Sequence, residues 1–124
     1  MEPVYNKEPE NNFLQKVRSL TKKYKCLLIF DEIVTGFRVH LRGAQFHYGV
    51  TPDLACFGKA MANGMPISAI VGKKKYMKFF DKIFFSTTFG GETLSIAAAI
   101  QTIKFLKKED IINKILNFSK KIYR

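Results

Sequence analysis

Two spacings of apolar residues run through the chain, one helical and one extended. Phe13, Leu14, Val17 and Leu20 recur three and four positions apart within residues 11–24, which predicts an amphipathic helix opened by an Asn cap. Cys26 to Phe30 is instead a continuous apolar run that ends abruptly at Asp31-Glu32, the pattern of a strand covered on both faces. The Gly-, His- and Arg-rich stretch 36–49 reads as a loop. Thr51-Pro52-Asp53 predicts a turn before a second buried strand, Leu54 to Phe57, which stops at Gly58-Lys59.

A third apolar run, Ile67 to Val71, stops at Gly72 and leads into a lysine-rich helix over about Lys73 to Asp81. Ile83-Phe84-Phe85 reads as a fourth short strand. Gly90-Gly91 opens a long periodic segment, Thr93 to Lys107, whose alanine cluster favours helix. Ile111, Ile115, Phe118 and Ile122 predict a last helix over Asp110 to Arg124. Strands alternating with helices imply an α/β layer structure, in which function gathers where loops leave the carboxyl ends of the strands. Asp31 and Lys59 are both expected there.

At 124 residues the chain fits one domain, and its 47% hydrophobic, 25% charged composition is that of a globular protein. No apolar run reaches membrane-spanning length, and the first residues have no apolar stretch behind a basic one, so a cytoplasmic protein is expected. Cys26 and Cys56 adjoin apolar runs and form no metal or redox spacing. The formal charge of +11 would suit an anionic partner, but the lysines are scattered over several elements without a stacking or groove-reading motif. Solvated faces explain them better than nucleic acid. His40 and His47 stand in a loop without further ligands, so no metal site is expected, and the common phosphate-loop, dinucleotide and hydrolase motifs are absent.

Three positions make chemical sense together: an acid after one strand, a lysine after the next, and Thr88 before a glycine-opened helix. Each has a plainer reading alone. Asp31 could cap a helix, Lys59 could be a surface lysine, and Thr88 could end a strand. Jointly they match what pyridoxal 5'-phosphate needs, namely an amine for its aldehyde, a carboxylate for its ring nitrogen, and donors for its phosphate.

The segments LLIFDEIVTGFR, GVTPDLACFGKAMANGMPISAIVG and STTFGGETLSIAAAI resemble the class III pyridoxal-phosphate-dependent aminotransferases over most of the chain. The TGFR and GAQ…YGVTPDL stretches are similar to the glutamate-1-semialdehyde aminomutase branch, which also holds aminotransferases for other substrates. The resemblance implies part of the large domain of a fold-type I transferase, a mostly parallel sheet flanked by helices. It makes Lys59 the Schiff-base lysine and catalytic residue, Asp31 the partner of the ring nitrogen, and Ile33 the apolar side chain against the ring. Thr88 matches a threonine that reaches the cofactor phosphate of a neighbouring subunit, implying a homodimer acting on an amino-acid or other amino/keto substrate. The 28-residue spacing of Asp31 and Lys59 agrees with the family pattern. Glu2-Pro3-Val4 and Asn6 resemble a family segment bearing an active-site asparagine.

There are departures. The branch usually reads SGNP where this chain has Gly90-Gly91-Glu92-Thr93, and the stretch from Lys59 to Thr88 is shorter. The resemblance further implies that residues 1–124 are the central part of the large domain, with an N-terminal segment and a C-terminal small domain missing. A rival expectation is a truncated, non-catalytic α/β fragment or a basic anion-binding module. On either expectation the isolated chain is poorly active or inactive.

Overall fold

The computed structural model describes residues 8–122. The expectations for Glu2-Pro3-Val4 and Asn6 lie outside them. Helix α1 (Phe13–Lys23) leads to strand β1 (Ile29–Asp31), a short helix α2 (Ala44–His47) and strand β2 (Leu54–Phe57). A 3-10 turn (Lys59–Met61), strand β3 (Ala69–Gly72), helix α3 (Lys74–Met77) and a second 3-10 turn (Lys78–Lys82) follow. Two longer helices, α4 (Thr93–Lys108) and α5 (Ile111–Ile122), complete the described chain.

The three strands form one sheet in the order β1-β2-β3. β1 and β2 run parallel, with Ile29 opposite Leu54 and Asp31 opposite Cys56. β3 returns antiparallel, with Leu54 opposite Gly72 and Phe57 opposite Ala69. The sheet is therefore mixed, where a mostly parallel one was expected, and the connections explain it. A parallel pair needs a long crossover, which residues 32–53 provide through α2. Residues 58–68 hold only a 3-10 turn, so the chain folds straight back.

One face of the sheet is packed. Leu28, Phe30, Ala55 and Phe57 join Leu14 of α1, Val50, Met61, Ala62 and Ala99 of α4 in the core. Burying the Leu, Phe, Val and Met side chains among them stabilises by about 1.5–3 kcal/mol each. The other face is open: Ile29 is 54% exposed beside Phe30 at 4%. The apolar run ending at Phe30 is thus covered on one face by the described residues, and strand alternation alone decides which side chains are covered.

Other expectations shift locally. Asn12 precedes α1 in a left-handed conformation and its side chain makes no capping bond. The loop 36–49 contains α2 and an isolated bridge between Gly36 and His40. Residues 83–85 form no strand, and Phe84 is 97% exposed. The cap of α4 is Glu92, whose carboxylate accepts from the Leu94 and Ser95 amides, both at 2.7 Å. Cys26 is exposed and Cys56 half-buried. No helix among the described residues is long and apolar enough to cross a membrane.

Candidate functional site

Parallel pairing of β1 and β2 brings their carboxyl ends to the same edge, and two of the chemically eligible residues stand there. Asp31 ends β1 in register with Cys56, and Lys59 follows the end of β2 by two residues. Asp31 is exposed, and its Oδ1 accepts the Ile33 amide at 3.0 Å, which turns the chain sharply after the strand.

Ile33 is half-buried and lies against the chain before Lys59. A Cβ placed on Gly58 would come 3.0 Å from Ile33 Cδ1, so the absence of a side chain at 58 permits this approach. Lys59 itself is exposed and holds a left-handed conformation at φ 42°. A non-glycine residue seldom adopts that region, and here it starts the 3-10 turn through which the Lys59 carbonyl accepts the Asn63 amide at 3.0 Å.

Thr88 stands elsewhere. It lines an open cleft of about 800 Å³ with Ser68, Ile70, Phe85, Phe89 and Gly90, a cleft that Asp31, Ile33 and Lys59 do not line. The nearby helix amides are taken: Glu92 occupies those of Leu94 and Ser95 with a negative group of the chain's own. A phosphate at this helix end would face that carboxylate, so Thr88 contributes a hydroxyl without the amide cradle.

The donor set thus fits pyridoxal phosphate at the ring end. An acid, an apolar contact between Ile33 and Gly58, and an amine share one edge. At the phosphate end Thr88 shares its cleft with the hydroxyl residues Thr87 and Ser68. Lys59 is exposed, so the described residues do not enclose its side chain.

Sequence reasoning missed two buried acids. Glu32, beside Asp31, is fully buried; its carboxylate accepts the Ala44 and Gln45 amides at 2.7 and 2.8 Å and the Thr35 hydroxyl. Strand alternation after the last apolar position was the available signal. Asp53, at the opposite end of the sheet, accepts from Arg18 at 2.8 Å, Lys73 at 2.6 Å and the Leu28 amide at 2.9 Å. Burial raises its pKa, but the hydrogen bonds from Leu28, Lys73 and Arg18 outweigh this and hold the carboxyl well below its usual range. No group of His, Cys, Asp and Glu among the described residues suits a metal ion.

Sequence and fold comparisons converge. The sequence model of "Aminotransferase class-III" matches residues 6–124. The 3-aminobutyryl-CoA aminotransferase of Cloacimonas acidaminovorans is 52% identical over 108 residues, 86% of this chain and 26% of that protein. The glutamate-1-semialdehyde 2,1-aminomutase of Natranaerobius thermophilus is 42% identical over 115 residues, 90% of this chain and 27% of that protein. The solved pyridoxal-phosphate form of the FumI protein from Sphingopyxis sp. MTA144 superposes with a TM-score of 0.72 at 36% identity, covering 77% of this chain and 23% of that one. The chain spans about a quarter of the length of the curated relatives it matches.

Proposed function

The chain belongs to the class III aminotransferase family, and from that premise we propose that its residues form part of a pyridoxal-phosphate site for amino-group transfer. Residues 1–124 are the central part of the cofactor-binding large domain. One observation carries this reading: Asp31 and Lys59 stand at the carboxyl ends of adjacent parallel strands, with Ile33 packed over the bare Gly58 between them.

Each residue has a definable task. Lys59 would hold the cofactor aldehyde through its amine, and that amine would be placed to move a proton at the substrate carbon. Asp31 would hold the ring nitrogen's proton, its carboxylate offsetting the positive charge. Ile33 would lie against the ring as an apolar contact. Thr88 reaches a phosphate of a neighbouring subunit in a homodimer. The cofactor, when bound, supplies an electron sink for the pair released at the substrate carbon. The substrate is an amino acid or another small amino/keto compound, and the protein works in the cytoplasm. Relatives of both aminotransferase and aminomutase name match this segment, so it serves chemistry common to both.

The open edge supports a second reading for the isolated chain, that of a non-catalytic fragment. Lys59 and Asp31 are exposed, and Ile29, Ile70 and Val71 leave the sheet apolar and uncovered. Such surfaces favour misassembly over a working monomer. The 124 residues alone are therefore expected to bind cofactor weakly and to turn over no substrate. Absorbance on mixing with pyridoxal phosphate tests the site: a visible band should form with the wild-type chain and be lost in Lys59→Ala. Equal bands in both proteins would assign the binding to surface lysines and remove the reading.

A further inference from the structure

Glu32 and Asp31 are consecutive acids with opposite environments. At a strand end, neighbouring side chains point to opposite faces, so the pleat that leaves Asp31 exposed sends Glu32 inward to zero exposure. A buried carboxylate is costly unless donors surround it. Here both oxygens are served: Oε2 accepts the Ala44 amide and the Thr35 hydroxyl, and Oε1 accepts the Gln45 amide. The Glu32 backbone is fixed as well, its amide donating to Cys56 of β2 and its carbonyl accepting from Gly36, both at 2.8 Å.

These bonds tie three pieces of chain to one residue: the turn at Thr35 and Gly36, the start of α2, and the end of β2. Gly43 fits the arrangement. A Cβ there would stand 2.6 to 2.7 Å from the Glu32 carboxylate, and its φ of 78° suits glycine.

Resting on the cofactor reading above, we propose that Glu32 is a positioning residue, whose buried carboxylate clamps the loop after β1 and thereby fixes Asp31 and Ile33 on either side of it. The clamp touches no substrate. It sets the angle at which the acid and the apolar side chain meet a ring held by Lys59.

Amide hydrogen exchange and absorbance titration with pyridoxal phosphate, applied to the full chain, Glu32→Gln and Thr35→Val, test the proposal. Thr35→Val keeps the acid and removes one donor, so it stays informative where Glu32→Gln fails to fold. In both variants exchange should quicken at Gly36, Ala44 and Gln45 while Ala55 to Phe57 stay protected. Cofactor affinity should fall about tenfold, the scale of one lost charge-assisted hydrogen bond. Unchanged exchange, a loosened loop with wild-type affinity, or a fall in affinity that only tracks the unfolded fraction would each overturn the positioning role and leave Lys59 untouched. If wild type and Lys59→Ala bind cofactor alike, the site reading fails and the positioning role falls with it.

Discussion

Asp53 at one end of the sheet and Asp31 at the other are held on opposite terms. At the amino end of β2, Asp53 is only 3% exposed, and Arg18 of α1, Lys73 before α3 and the Leu28 amide all converge on it. That end satisfies its charges within the chain. At the carboxyl end, Asp31 and Lys59 stand exposed. Asp53 is buried among partners that hold the fold, whereas Asp31 and Lys59 turn their side chains to solvent on one edge. The contrast separates a residue that holds the fold from those proposed to carry chemistry.

The largest expected effect belongs to the packed face. Phe30→Ala should cost about 3–5 kcal/mol of stability, since it removes a buried aromatic from the core that also holds Leu14, Ala55 and Phe57, while Ile29→Ala next to it should cost less than about 1 kcal/mol. Urea unfolding followed by circular dichroism compares the two. Similar losses would mean that the open face is covered in solution.

Next comes the closed end. Asp53→Asn should cost about 3 kcal/mol, because two cations lose a shared buried partner. Its pH dependence has a definite sign. The folded-state pKa is depressed, so the stabilisation is fully present above the usual carboxylate value near about 4 and drains away as pH falls below it. Acid unfolding monitored in parallel should show wild type losing more stability than Asp53→Asn between about pH 4 and 2. Equal acid sensitivity would show that the pairing seen here does not hold in solution.

A smaller, local effect is expected at Glu92. Replacing it with Ala should speed exchange of the Leu94 and Ser95 amides and leave the sheet protected. Wild-type protection at both amides would assign the capping to other groups.

How much of this was legible in the sequence depends on the reach of each interaction. Leu54 to Phe57 and the long helix from Thr93 follow from local periodicity, and both form as that pattern predicts. The direction of β3 was hidden, because it depends on what residues 58–68 fail to build. Ile83-Phe84-Phe85 has strand composition, yet composition cannot supply a pairing partner. The position of Asp31 and Lys59 after adjacent strands was visible in the apolar runs that precede them. Alternation could have signalled the burial of Glu32, but not its donors at Ala44 and Gln45, which lie 12 and 13 positions away and are backbone amides. Gly58 was read as a strand stop, and only the fold shows Ile33 resting against it.

The contrast between the ends can be measured within one sample. After incubation with pyridoxal phosphate and borohydride reduction, peptide mapping gives the label at Lys59, on the open edge, relative to Lys73, which is engaged by Asp53, and to the exposed lysines of α4 and α5. The account predicts that Lys59 carries most of the label, and that Asp31→Asn lowers its share while leaving the other lysines unchanged. Label spread across the lysines in proportion to their exposure, with no preference for Lys59, would contradict it.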